Sequence, residues 1–193
     1  MPKTTSSFGS PSTGNKKKLP GNDPGVDLHT PGNNRLLFLE GLRDIYGIEK
    51  HQESILPLLK KAASSLKLQS VLATHLLGTY DHISRLGQIF RLLGRRIEET
   101  RSEAIMGIAR ECEQVIGRTR RGTATRDAGI IGAARQLECF EIGAYGSLAQ
   151  LARTLEYDDI ADILETTLNE EKDADDLLIS LAENYILPEA IRE

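Results

Sequence analysis

Four long segments of this sequence carry apolar residues every three to four positions, and polar residues interrupt each of these stripes near its middle. That spacing is typical of one face of an α-helix, and no segment shows the sustained alternation of half-buried strands. The segments are about 35–64, 67–93, 126–156 and 159–185, and a shorter helix is expected at about 101–117. The pattern predicts an all-α domain, an antiparallel four-helix bundle with one extra short helix between the second and third long helices.

The first part of the chain differs in composition from the rest. Residues 1–33 contain five of the seven prolines and five glycines, together with many Ser, Thr and Asn residues. Such a segment buries too little apolar surface to offset the entropy lost on ordering, so we predict a disordered tail. The helical bundle is then expected over residues 34–187. Pro188 lies beyond the last helix, and residues 188–193 are expected to form a short C-terminal tail.

Composition excludes several classes of protein. No apolar run approaches the roughly 18–20 residues of a membrane span, and the N-terminus has no apolar stretch typical of a secretory signal. Two cysteines are too few for a disulfide framework. Residues 91–126 contain nine Arg against five Glu, but without interleaved aromatic residues, so nucleic acid is not an expected partner. The sequence predicts a cytoplasmic protein that binds neither membrane nor nucleic acid.

The polar interruptions of the four stripes are mainly acidic. When the four helices lie side by side as antiparallel neighbours, these interruptions fall at a similar depth in the bundle. The residues expected there are Glu49 on the first long helix, His82 on the second, Glu138 and Glu141 on the third, and Glu171 and Asp175 on the fourth, with His75, Gln52 and Thr79 close by.

Carboxylates at such a density cannot remain ionised without partners, because removing each of them from water costs several kcal/mol. They can share protons, pair with buried cations or bind a metal ion. None of the stripes offers Lys or Arg at its middle positions. Carboxylate oxygens with an imidazole suit iron or manganese. The alternative is a metal-free, protonated and hydrogen-bonded core in a helical dimer that acts as a structural or protein-interaction module.

The same residues resemble the YciE/YciF family of ferritin-like bacterial stress proteins. The resemblance extends over about 36–185. The matching segments are Leu37-Phe38, Leu42 to Tyr46, Glu49-Lys50, His75-Leu76, His82, Arg85-Leu86, Arg126 to Ala128, Glu138, Glu141-Ile142, Tyr145-Gly146, Leu168, Glu170 to Lys172, and Asp175.

This resemblance implies a ferritin-like bundle, a homodimer and a dinuclear metal centre. It implies redox handling of iron with oxygen or peroxide in a stress response. The metal ligands implied are carboxylates of the first, third and fourth long helices, with a histidine of the second that tunes the metal: Glu49, Glu138, Glu141, Glu171, Asp175 and His82.

The chain departs from the family pattern on the second and third long helices. Leu77 and Gly78 occupy positions where the family has two carboxylates, and Cys139-Phe140 replaces a His-Tyr pair. With fewer ligands, one iron or manganese ion is the more secure expectation than two. Cys139 is expected to be a small buried residue.

Two further expectations concern residues without an assigned ligand role. His75 is expected to be a core or interface histidine whose hydrogen bonds are satisfied. Gly143 and Gly146, which lie within the helical pattern, are expected to allow close approach of a neighbouring helix.

Overall fold

The computed structural model describes residues 33–98 and 103–193, and within these ranges it contains helices and no strand. The predicted tail over residues 1–33 lies outside this range except for Asn33. The helices are α1 (Asn34–Ala62), α2 (Leu66–Leu92), α3 (Glu103–Arg118), α4 (Ala124–Thr154) and α5 (Asp158–Leu181), followed by a π-helical turn (Ala182–Ile186) and the short α6 (Leu187–Ala190).

The predicted all-α class is confirmed, with the short helix α3 between the second and third long helices. Polar side chains begin three of the long helices, as N-cap residues commonly do. Asn33 accepts a hydrogen bond from the Arg35 amide, and Thr123 accepts one from the Arg126 amide. Ser65 caps α2 in the same way.

The four long helices pack as antiparallel neighbours. Short connections make hairpins of α1 with α2 and of α4 with α5. α1 and α4 run in opposite directions. Phe38, near the start of α1, packs against Tyr157, which lies just beyond the end of α4. Glu49, further along α1, contacts Tyr145, which lies earlier in α4. The helix α3 lies between α2 and α4 in the chain and packs on α1 and α4. This topology brings the middle of each long helix to the same level of the bundle.

Two glycines allow neighbouring helices to approach closely. A Cβ atom at Gly41 would lie 2.9 Å from Leu148 Cδ2, and one at Gly129 would lie 2.7 Å from Val115 Cγ1. The expectation for Gly143 was wrong, because no described residue of a neighbouring helix lies within 4 Å of a Cβ atom placed there. Close approach is therefore supported by glycines on α1 and at the start of α4.

The C-terminal residues fold back onto the bundle. The α6 segment packs against α4. The Glu193 carboxylate accepts hydrogen bonds from the amides of Ala124 and Thr125, at 2.8 and 3.0 Å. These are free amides of the first turn of α4, where a negative charge is stabilising.

Candidate metal centre

The residues predicted for the middle of the bundle lie in its interior. Glu49, Glu138, Glu141, Glu171 and His82 are each at most 2% exposed. They come from all four long helices, because the polar interruption of each stripe faces the same central space. Carboxylates at this depth need a cation or a proton to compensate for their desolvation.

In the part of the chain that the structure describes, side-chain ligand atoms in this space form two groups, in each of which all the atoms lie within 4.8 Å of one another. One group is His75, Glu138, Glu141 and Glu171, and the other is Glu49, His82 and Glu171. Glu171 belongs to both. The two groups are therefore adjacent, and each has a donor set of carboxylates and one imidazole.

The carboxylates of the centre have few hydrogen-bond donors. Among residues 33–98 and 103–193, six buried oxygen atoms of the centre have no hydrogen-bond partner, namely Glu49 Oε2, Glu138 Oε2, both oxygens of Glu141 and both oxygens of Glu171. Buried acceptors are normally satisfied, so such a concentration at one place needs either a cation or protons to compensate for it. The residues present thus fit the iron or manganese ion that the sequence predicts.

His82 directs one ring nitrogen into the centre and the other out of it. Its Nδ1 lies 2.9 Å from Glu171 Oε1 and 3.2 Å from Glu49 Oε1, and neither contact has the geometry of a hydrogen bond. Its Nε2 lies 3.0 Å from Glu170 Oε2. A carboxylate that accepts the Nε2 proton leaves the Nδ1 lone pair for a metal ion, which is a common arrangement around metal-bound histidines.

His75 is oriented in the same way. Its Nε2 lies 3.0 Å from Gln52 Oε1, and its Nδ1 lies 3.4 Å from Glu138 Oε1. The amide oxygen only accepts, so Nε2 carries the proton and Nδ1 faces the carboxylates. His75 thus has the satisfied hydrogen bond expected from the sequence, and it also lies in one of the two ligand groups.

Tyr145 holds Glu49 by a hydrogen bond from its hydroxyl group. Its hydroxyl is buried and donates a hydrogen bond of 2.5 Å to Glu49 Oε1. Burial and the neighbouring carboxylates raise the pKa of Tyr145 well above its ordinary value, so the hydroxyl keeps its proton. The other oxygen of Glu49 is left without a hydrogen bond.

Burial changes the protonation of the whole centre. It raises the pKa of Glu49, and it raises the pKa of Glu138 and Glu141 further, with the negative charge of Glu171 adding to the effect. Burial lowers the pKa of His75. For His82 burial acts in the same direction, but the contacts with Glu171 and Glu49 outweigh it and raise its pKa to about 10. Without metal, protons therefore compensate part of the negative charge.

The structure does not bring Asp175 into either ligand group. Its carboxylate pairs with Arg135, at 2.7 Å from Nε and 3.2 Å from Nη2. Its role as a ligand stays a prediction.

The expectation that Cys139 is buried was wrong: it is exposed, because it follows Glu138 by about 100° around α4 and points away from the core.

Sequence reasoning missed the ion pair that supports His82. Arg85 donates hydrogen bonds to both oxygens of Glu170, and the same carboxylate contacts His82. This pair lowers the pKa of Glu170, which stays ionised. The available signal was the spacing of His82 and Arg85, which places both on one face of α2.

The fold and the interior carboxylates place the chain in the class of all-α helical bundles with a candidate metal-binding core. The chain belongs to the family described as a domain of unknown function, DUF892, which matches residues 33–191. The relatives below confirm the predicted YciE/YciF family.

Protein YciF of Escherichia coli is 36% identical over 151 residues, which are 78% of this chain and 90% of the relative. The crystal structure of this stress protein superposes with a TM-score of 0.76 and covers 79% of this chain and 96% of the other. YcfI of Rhodopseudomonas palustris, for which a structural role has been suggested, has a TM-score of 0.75 at 35% identity, over 81% of this chain and 97% of that one. A protein of Xanthomonas campestris at 20% identity shares the fold, with a TM-score of 0.65 over 83% of this chain and 98% of the other.

Within residues 33–98 and 103–193, none of the helices combines the length and the apolar character that a membrane crossing requires.

Proposed function

We propose that this protein is a ferritin-like stress protein whose bundle core binds iron or manganese and handles iron redox chemistry with oxygen or peroxide. The observation that carries the proposal is the cluster of six buried carboxylate oxygens without hydrogen-bond partners, beside two imidazole Nδ1 atoms. The relationship to the E. coli stress protein YciF supports the biological setting.

The two ligand groups support a centre for two ions. His75, Glu138 and Glu141 would hold one ion, and Glu49 and His82 the other, while Glu171 would serve both. The second-helix positions Leu77 and Gly78 supply no ligand, and in this arrangement His75 takes the place of an additional donor from α2.

When bound, iron supplies one-electron chemistry toward oxygen or peroxide. The chain itself provides carboxyl groups, which would release their protons when a metal ion binds, and two imidazoles with fixed orientation. Tyr145 holds Glu49 by its hydrogen bond, and Glu170 orients His82. Apolar core residues of the same helices surround the centre, and this low-dielectric environment strengthens the interaction between the carboxylates and a cation.

We also propose that the protein acts in the cytoplasm as a homodimer. An apolar groove between α1 and α4, at which Leu37 and Phe140 are exposed, supports self-association.

Titration of metal-free protein with Fe(II) under anaerobic conditions tests the proposed function. We expect two ions per chain, followed by oxidation when oxygen or peroxide is added. Glu165→Gln provides a matched control, because it neutralises an exposed carboxylate of the same helix that pairs with Arg153, and it should bind as the wild type does. Absence of Fe(II) binding by the wild type would instead support the metal-free, protonated core.

Loss of the Glu170 carboxylate should lower the metal affinity of the centre without changing the number of ions that it binds. In Glu170→Ala, His82 loses the acceptor at its Nε2 atom. Changes to such supporting residues typically weaken metal binding by about 10–100-fold, and we expect a decrease of this size with unchanged stoichiometry. The measurement is Mn(II) affinity by electron paramagnetic resonance. The control is Glu165→Ala, which removes an exposed carboxylate paired with Arg153. Equal affinities of the two variants would contradict the supporting role of Glu170.

A further inference from the structure

A cleft of about 450 Å³ lies between α2 and α5 and reaches from the surface to the candidate metal centre. Its inner end is lined by His75, His82, Glu138 and Glu171. Leu77 and Leu177, both about half or more exposed, lie at the cleft as well. The buried carboxylates therefore have a direct route to solvent on this side of the bundle.

Gly78 leaves this route open above His82. Residues 78 and 82 are one turn apart on α2, and helical side chains lean toward the N-terminus, so the His82 ring lies over position 78. A Cβ atom at Gly78 would be 3.8 Å from Cε1 and Nε2 of His82, which is an ordinary contact distance. Any longer side chain would extend from this point along the ring or into the cleft.

The charge along the cleft is negative. Asp81 and Asp173 line it and are exposed, and the described residues that line it include no Lys or Arg. Further in, Glu138 and Glu171 are buried and have carboxylate oxygens without hydrogen-bond partners. A cleft lined with one sign of charge and walled by apolar residues raises the local concentration of the opposite ion and the rate at which it enters.

We infer that this cleft is the route by which a divalent metal ion reaches the centre, and that Gly78 keeps the route open. The inference rests on the proposed function, because it requires that the centre binds metal. It also assigns a role to position 78, where the chain lacks a second-helix carboxylate. Glycine at this position provides no ligand, but it leaves space for the ion to pass beside His82.

Stopped-flow mixing with Co(II), followed by its visible absorption, tests the route on the full chain. Gly78→Leu blocks the passage but changes no ligand, so association and dissociation should both slow by at least tenfold while the dissociation constant changes less than twofold. Gly132→Leu is the matched control, since Gly132 is an exposed glycine of α4 and no described residue outside its own helix lies within 4 Å of its Cβ position. Equal rates for the two variants would overturn the inference.

A second pair of variants tests the route without adding bulk. Asp173→Asn removes a charge from the cleft, whereas Asp159→Asn removes one from the first turn of α5, away from the cleft. At low salt we expect Asp173→Asn to associate with Co(II) about threefold more slowly than Asp159→Asn, and added salt should reduce the difference. Equal association rates of this pair at low salt would contradict the route. Failure of the wild type to bind Co(II) at all would overturn the proposed function itself, whereas binding at unchanged rates in every variant would overturn the route alone.

Discussion

Glu171→Gln is expected to abolish tight metal binding at both positions of the centre. Glu171 belongs to both ligand groups, and neither of its oxygens has a hydrogen-bond partner. Gln has nearly the same shape, but it is neutral and offers one weak oxygen ligand in place of a carboxylate. We expect a loss of affinity on the order of 100-fold or more, above the range for supporting residues. Isothermal titration with Mn(II) gives both stoichiometry and affinity.

Two single substitutions provide the comparison. Glu49→Gln changes only the group that contains His82, and Glu141→Gln changes only the group that contains His75. Each should reduce the stoichiometry from two ions to one, whereas Glu171→Gln should affect both. This pattern depends on the shared position of Glu171 and not on the number of carboxylates removed, since every variant loses one.

Folding of these variants is checked in the presence of a chelator. Each substitution replaces a crowded carboxyl group with a neutral amide of nearly the same shape, so the helical circular dichroism of the metal-free variants should match that of the wild type. A folded Glu171→Gln variant that binds two Mn(II) ions with wild-type affinity would contradict the assignment of the centre.

Much of the fold was predictable because each helix is amphipathic and has recognisable ends. The predicted helix 35–64 corresponds to α1 at Asn34–Ala62, and the predicted 126–156 corresponds to α4 at Ala124–Thr154. The end of the last long helix differs most: α5 ends at Leu181 and a π-helical turn follows, where 185 was expected. A π-turn inserts one residue into the helical repeat, and a search for residues spaced three to four apart does not detect it.

The depth of the central residues was also predictable, because a polar residue in an apolar stripe must face the core. The hydrogen-bond and ion-pair partners of these residues were harder to predict. Arg135 and Glu170 lie beside the stripes and not on them, so the stripe pattern did not indicate that Arg135 pairs with Asp175 or that Glu170 supports His82. Whether a residue beside the stripe contacts a residue of the centre depends on the length and rotamer of its side chain. The spacing of apolar residues in the sequence does not reveal either.

Metal-free protein is expected to lose stability as the pH rises from 6.5 to 9. Burial raises the pKa of Glu49, Glu138 and Glu141, and contacts with two carboxylates raise the pKa of His82 to about 10. A group whose pKa is higher in the folded state holds a proton that the unfolded chain has released. Its stabilising contribution is complete below the unfolded pKa and disappears as the pH rises through the folded pKa.

This pH range avoids the groups of the centre that act in the opposite direction. His75 has a lowered pKa, so it acts in the opposite direction, but only below its unfolded value of 6.5. Glu170 also has a lowered pKa, and its effect is confined to acidic pH below its unfolded value of 4.5. Between pH 6.5 and 9, the groups of the centre therefore act with the same sign.

The expected size follows from the number of protons that the folded protein retains. Each retained proton lowers the free energy of unfolding by about 1.4 kcal/mol per pH unit. For a protein of this length, one proton corresponds to a decrease in Tm of about 3–6 °C per pH unit. Thermal unfolding by circular dichroism in EDTA measures this slope, which should be smaller in Glu141→Gln and unchanged in Glu165→Gln, where the carboxylate is exposed.

Metal should reverse this pH dependence, because it binds the deprotonated carboxylates and releases the protons that they hold. The increase in Tm caused by saturating Mn(II) should therefore grow between pH 6.5 and 9, while the metal-free protein becomes less stable. If the Tm of metal-free protein stays constant or rises over this range, the centre does not hold extra protons, and the buried carboxylates are compensated in another way. If the Tm falls but Mn(II) has no effect at any pH, the retained protons stabilise the folded protein without metal, as the metal-free alternative requires.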